Sequence, residues 1–200
     1  MTKRWVSERK KEHYYKQAKK AGYRSRSAYK LKQINDKFKV ITQHDSVIDL
    51  GAAPGGWSQV VKDIVGPRGA VIGVDIQRIE PIEDIDFIHG DVTKDDTLEK
   101  IMASAGKVDV VISDMSPNIT GNYSMDHARS IELAEEALEI VKKLLKVNGN
   151  IVIKVFQGDL FDDYLKKIKV LFTFTKVHSP KASRKSSSEV YIIGKGFKGT

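Results

Sequence analysis

From residue 46 onward, short apolar runs alternate with longer amphipathic ones, a pattern that predicts strands interleaved with helices. Seven runs have the length and the Val/Ile/Phe content of strands: Ser46–Leu50, Ala70–Asp75, Asp86–His89, Val108–Asp114, Asn150–Phe156, Phe172–His178 and Glu189–Ile193. Between them, helix-like segments fall at Trp57–Val65, Lys94–Ala105 and His127–Val147. The last is patterned by Ile131, Leu133, Ala134, Leu138, Val141, Leu144 and Leu145. Ahead of the first strand, Ala28, Leu31, Ile34 and Phe38 mark one face of a further helix, with Tyr29 and Lys30 near its edge. The head, Thr2 to Gly22, lacks a continuous apolar stripe and reads as an arm that is partly ordered or orders on binding.

This succession specifies an α/β fold, a mostly parallel seven-stranded sheet with helices on both faces. The final pair of strands is joined by a Ser/Lys/Pro-rich loop with no room for a crossover helix, so the last strand should run antiparallel. Two hundred residues fit one domain, 1–200, in which 1–22 is a basic arm.

Where the first strand ends, Val47-Ile48-Asp49-Leu50-Gly51-Ala52-Ala53-Pro54-Gly55-Gly56-Trp57-Ser58-Gln59 joins it to a helix through nearly side-chain-free backbone. A turn of this kind at the carboxyl edge of a sheet lets a small-molecule cofactor rest against the main chain. The glycine spacing is not G-x-G-x-x-G, and no G-x-x-x-x-G-K-[ST] phosphate loop occurs, which weighs against a nicotinamide or a nucleoside triphosphate.

Acidic residues recur at the strand ends. Asp49 closes the first, Asp75 the second, Asp91 follows the third and Asp114 ends the fourth. Carboxylates there can accept hydrogen bonds from ribose hydroxyls and an adenine amino group, so an adenosine-type ligand suits them. Lys154 lies in an otherwise apolar fifth strand, where an ammonium is costly unless an acid pairs with it.

Composition narrows the chemistry further. No cysteine is present, so disulfides, thiolate nucleophiles and Cys-based zinc sites are excluded, and the five histidines have no ligand spacing; no metal is expected. No apolar run approaches a membrane span, so no membrane is expected as a partner and a cytoplasmic location is. Residues 1–40 hold fourteen Lys/Arg against three Asp/Glu, and residues 176–200 hold six against one. These ends carry +11 and +5 in a chain of net +8, leaving −8 for the middle. Basic ends around an acidic centre suit a polyanion held beside the site of a cationic cofactor.

The string DLGAAPGGWSQ resembles the first motif of S-adenosylmethionine-dependent methyltransferases, in the form found in the RrmJ/FtsJ family of ribose 2'-O-methyltransferases. Ser25-Arg26-Ser27-Ala28-Tyr29-Lys30, Ser113-Asp114-Met115, Ile153-Lys154-Val155-Phe156-Gln157-Gly158 and Ser187-Ser188-Glu189-Val190-Tyr191 resemble, in order, the segments of that family's Lys-Asp-Lys-Glu centre. The likeness runs from about Tyr23 to Gly196. It implies a Rossmann-like methyltransferase fold, S-adenosyl-L-methionine as cofactor, and Lys30, Asp114, Lys154 and Glu189 as the catalytic set. It also implies cofactor contacts from Gly51, Gly55, Trp57, Asp75, Asp91 and Asp114.

The implied substrate is a uridine ribose of large-subunit ribosomal RNA in an assembled or nearly assembled subunit, with the enzyme acting as a monomer. The anticodon loop of transfer RNA and a non-catalytic role in ribosome assembly stay open as alternatives. Lys154 is the expected proton acceptor and Lys30 the group that orients the hydroxyl. Burial and the like charge of Lys30 would press the Lys154 pKa down, and Asp114 and Glu189 would press it up. Lys10, Lys11, Lys19, Lys20, Arg24, Arg26, Arg184 and Lys185 are the expected RNA contacts.

Overall fold

A computed structural model describes residues 3–183 and 188–200, and for residues 3–11 the course of the backbone alone. One seven-stranded sheet forms the centre. Its strands are β1 (Ser46–Leu50), β2 (Ala70–Asp75), β3 (Asp86–His89), β4 (Val108–Ser113), β5 (Leu145–Phe156), β6 (Phe172–His178) and β7 (Glu189–Phe197). The order is β3-β2-β1-β4-β5-β7-β6, in which β7 pairs antiparallel with both β5 and β6 and every other pairing is parallel. The chain reverses its direction of travel across the sheet between β1 and β4, where ligands of such sheets bind.

Two helix layers cover the sheet. Helices α4 (Asp95–Ala105), α5 (Tyr123–Leu144) and α6 (Phe161–Leu171) pack on one face around Leu138, Val141, Ile151, Ile153 and Tyr164. On the other face lie α2 (Ala28–Phe38) and α3 (Gly56–Val65), packed around Leu31, Ile34, Val61, Val152 and Tyr191. Side chains alternate across each strand, so Val152 and Ile153 enter different cores and Lys154 points to the α2 side.

Several element ends differ from the expectation for local reasons. Helix α5 starts at Tyr123 because the Asn122 side chain accepts the Met125 N–H and caps it. It ends at Leu144, and the chain turns at once into β5, so that Leu145 pairs with Val108 ahead of a register shift. Strand β7 continues to Phe197 because the edge strand β6 offers it partners as far as Phe172.

The head, expected as an arm that is partly ordered or orders on binding, forms helix α1 (Lys3–Lys20). Its carboxyl end is anchored: Ala18 is buried, and the Tyr14 hydroxyl accepts a hydrogen bond from Gln33 on α2 at 2.9 Å.

Buried Asn35 closes the end of α2, accepting from the Ile41 N–H at 2.8 Å and donating to the Ile41 carbonyl at 3.1 Å. Replacing it with Ala leaves two buried backbone groups without partners. Asn35→Ala is expected to lower unfolding stability by about 1–3 kcal/mol, measured as a shift in urea midpoint at unchanged slope.

Candidate active site

The turn after β1 is shaped by crowding. Gly51 has φ +75°, and a Cβ there would lie 2.7 Å from Met115 Cγ and 2.9 Å from its backbone. Gly55 has φ +108°, and a Cβ there would meet Ile82 Cδ1 at 2.8 Å. The backbone conformation disfavours a side chain at both positions, and at Gly51 the Met115 backbone also leaves no space for one. Arg24 clamps the turn from outside: its guanidinium donates to the carbonyls of Pro54 (3.3 Å), Glu80 (2.5 Å) and Pro81 (2.9 Å).

Asp75 accepts the Ala53 N–H on one oxygen and the Gln77 N–H on the other, both at 2.8 Å. Each oxygen keeps a further lone pair for a hydroxyl donor. Asp91 takes both of its hydrogen bonds on Oδ1, from the Thr93 N–H and hydroxyl, leaving the Oδ2 lone pairs for an amino group. Those two bonds hold the Asp91 carboxyl below the usual carboxylate range.

Asp49 lies beneath the turn, fully buried. Its Oδ2 accepts from Ser58 at 2.7 Å, and its Oδ1 has no hydrogen-bond partner among the described residues. Burial pushes its carboxyl up to about 7, with Ser58 opposing the rise and the charges of Asp114 and Asp75 adding to it. A bare turn, two hydrogen-bonding carboxylates and a concentration of acidic groups fit an adenosine-type ligand that carries a positive charge.

Beyond the turn lies a connected chain of charged and polar groups. Lys154 on β5 is buried, and its Nζ donates to the Asp114 backbone carbonyl at 2.5 Å and lies 3.1 Å from Asp114 Oδ1. Asp114 Oδ1 also accepts from the Tyr191 hydroxyl at 2.8 Å. That hydroxyl stands 3.1 Å from Glu189 Oε1 and accepts from Lys30 Nζ at 3.1 Å, and Lys30 Nζ contacts Glu189 Oε1 at 2.6 Å. Ser183 donates to the same Glu189 oxygen at 2.9 Å.

The electrostatics follow from the packing. Burial works against ionisation of Asp114, but the Lys154 and Lys30 charges and the Tyr191 hydroxyl outweigh it, so its carboxyl sits below the usual range. Burial and the neighbouring Asp114 and Glu189 carboxylates raise Tyr191 well above an ordinary phenol, which keeps its proton in place as a donor. Sheet register accounts for the meeting. Ser113 pairs with Ile153, which sets Asp114 beside Lys154, and Lys154 pairs with Tyr191, which puts Glu189 on the same face two residues away.

Lys30, Asp114, Lys154 and Glu189 are thus brought together. Tyr191, which links the two ion pairs, was missed as a site residue; its position two residues from Glu189 in one strand was the available signal. Trp57 has its ring buried against Tyr191 at 5.7 Å between centroids and its Nε1 donating to the Ser27 carbonyl at 2.9 Å.

Among the expected RNA contacts, Lys19 and Lys20 are exposed at the end of α1, Arg26 is half-buried, and Arg24 is engaged on the cofactor turn. The side chains of Lys10 and Lys11, and Arg184 and Lys185 entirely, lie outside the described residues. Tyr14, Tyr23 and Tyr29 pack on one another. Among the described residues, no group of His, Cys, Asp or Glu side chains is placed to hold a metal ion, and no helix is long and apolar enough to cross a membrane.

A family model described as FtsJ-like methyltransferase matches residues 23–197. Over 190 residues the chain is 56% identical to ribosomal RNA large subunit methyltransferase E of Methanosarcina acetivorans, spanning 94% of this chain and 69% of that one. The protein of the same name from Methanococcus aeolicus is 52% identical over 98% of this chain and 74% of its own length. Among solved structures, a Plasmodium falciparum protein described as a candidate ribosomal RNA methyltransferase superposes with a TM-score of 0.78 at 27% identity, over 89% of this chain and all of that one. Fibrillarin of Aeropyrum pernix, solved with natively bound S-adenosyl-L-methionine, shares the fold at 17% identity and a TM-score of 0.59, over 84% of this chain and 73% of its own.

The raised pKa of Asp49 sets a direction for pH dependence. The folded protein holds a proton that the unfolded chain releases near 3.8, so the Asp49 contribution to stability falls as pH rises through the interval up to about 7 and is level above it. Asp49→Asn keeps an acceptor for Ser58 and removes the buried charge. Its melting temperature is expected to gain on the wild type as pH is raised from about 5 to about 8, read by calorimetry across that range.

Proposed function

The chain belongs to the FtsJ-like methyltransferase family, and on that premise we propose that it methylates the 2'-hydroxyl of a uridine ribose in large-subunit ribosomal RNA, using S-adenosyl-L-methionine. The observation that carries this reading is the buried chain Lys30–Glu189–Tyr191–Asp114–Lys154, beside a turn suited to a cationic adenosine ligand. The relatives named for this activity supply the choice of ribosomal RNA.

S-adenosyl-L-methionine, when bound, supplies an activated methyl group. The Gly51–Gly55 turn receives it against bare backbone, Asp75 takes its ribose hydroxyls and Asp91 its adenine amino group. Lys154 rests as an ammonium against Asp114, and once it has released one proton to solvent it has two N–H bonds and one lone pair. Asp114 offers two acceptors, the carbonyl and Oδ1, which take both hydrogens and leave the lone pair for the 2'-hydroxyl proton. The ammonium that results lies against a carboxylate held in its ionised form.

Lys30 has two of its three hydrogens engaged by Glu189 and Tyr191, and the third orients the 2'-oxygen. Tyr191 fixes the two pairs relative to each other. Lys19, Lys20 and Arg26, with Lys10, Lys11, Arg184 and Lys185, take RNA phosphates, and Arg24 acts by holding the cofactor turn. All four charged groups come from one chain, which supports a monomer as the acting unit.

The test is transfer of labelled methyl to large ribosomal subunits that lack the modification, with the nucleotide mapped by mass spectrometry. A 2'-O-methyluridine in the large subunit is the expected product, and label in transfer RNA would overturn the substrate assignment. Lys154→Ala is expected to slow transfer about 10²–10⁴-fold with RNA affinity retained. Replacing Lys19 and Lys20 together with Ala is expected to flatten the slope of log affinity against log salt by roughly one to two units.

A further inference from the structure

An exposed apolar patch adjoins the catalytic edge on the sheet face opposite α2. It comprises Ile119 in the loop after β4, Tyr123 in the first turn of α5, and Leu160 after β5; these are 63%, 60% and 47% exposed. Large apolar side chains exposed close together mark a binding surface.

Its supports are rigid and internal to the fold. Asp126 gathers the loop by accepting from the Thr120 N–H and hydroxyl at 2.9 and 2.8 Å and from the Gly121 N–H at 3.1 Å. The Tyr123 hydroxyl donates to the Gln157 carbonyl at 2.5 Å, which ties the ring across the gap between α5 and the turn after β5. Buried His127 accepts the Leu160 N–H at 3.0 Å through Nε2 and pairs through Nδ1 with the Phe156 carbonyl, which fixes that turn to the same helix. Tyr123 is therefore a tethered ring with a large open surface.

Position and charge identify the partner. Gln157 follows Lys154 by three residues, so the tether lies about 10 Å from the proton acceptor at a strand's rise per residue. Ile119 lies on the loop that begins at Asp114. The patch therefore lies at the same end of the sheet as Lys154, toward its other face. Asp159 and Asp162, both exposed, follow the same turn and disfavour phosphate there, while the lysines of α1 and α2 lie on the other side of the sheet. Aromatic and apolar side chains with acidic neighbours suit nucleobases that are splayed from their helix, with the backbone held elsewhere.

We infer that Tyr123, with Ile119 and Leu160, seats an unpaired base next to the target nucleotide of the RNA substrate, Tyr123 stacking on its face. This rests on the reading of the protein as an RNA methyltransferase. The basic elements hold the phosphates and this patch holds the base, so the target ribose is fixed from two sides.

The experiment compares wild type, Tyr123→Ala and Tyr123→Trp in two assays: binding of a fluorescent oligouridylate by anisotropy, and methyl transfer to unmodified large subunits. Tyr123→Ala is expected to weaken oligouridylate binding about 5- to 100-fold and to raise KM for the subunit with S-adenosyl-L-methionine affinity unchanged, whereas Tyr123→Trp retains both. Equal affinity in all three proteins would overturn the inference, and so would equal losses in the Ala and Trp variants, which would mark a structural role. If the wild type transferred no methyl while the affinity pattern held, the catalytic reading would fall and the base seat would stand.

Discussion

Two lysine side chains drawn into the low-dielectric end of the sheet govern the arrangement of everything around them. An ammonium out of water needs an opposing charge and acceptors for its hydrogens, and Lys154 and Lys30 obtain them from Asp114 and Glu189. Tyr191 turns two ion pairs into one network, because its hydroxyl is within hydrogen-bonding reach of both carboxylates and of Lys30. Removing any one member leaves another buried group short of a partner. This explains why the network draws on four elements, α2, the end of β4, β5 and β7: no single segment could hold opposite charges at these separations and still bury them.

The sheet supplies this geometry at little local cost. Inserting β7 antiparallel between β5 and β6 puts Tyr191 and Glu189 opposite the end of β5. The switch between β1 and β4 sets the cofactor turn beside Asp114, whose N–H is hydrogen-bonded to the Leu50 carbonyl at 3.1 Å. Cofactor turn and charged network are therefore directly coupled through the main chain. Arg24 adds a second tie, since it binds the turn from the segment that leads into the helix carrying Lys30.

Charge is distributed to match these roles. The acidic middle of the chain supplies the carboxyl edge of the sheet, where Asp114 and Asp75 lie close enough to Asp49 to help raise its carboxyl. The basic head packs onto α2 through Tyr14, which accepts from Gln33 of that helix, and through buried Ala18. A polyanion and a cationic ligand can thus occupy neighbouring sites without sharing the same field.

The sequence by itself determined the strands whose ends are marked by turns. Ser46–Leu50, Ala70–Asp75, Asp86–His89 and Phe172–His178 fall where the apolar runs place them. It also determined the chemistry on offer, because strand-end acids and a lysine in an apolar strand are legible from local context. Tertiary structure alone decided which of these groups meet and what each one faces. Lys30 and Glu189 are 159 residues apart, and Tyr191 acts as a bridge only because β7 pairs with β5. Arg24 and Trp57 are polar-capable residues whose partners, backbone carbonyls 30 residues or more away, no periodicity encodes. Local pattern fixes burial and element type, since those depend on near neighbours in the chain; the pairing of charges and hydrogen bonds depends on neighbours in space, which the packed sheet supplies.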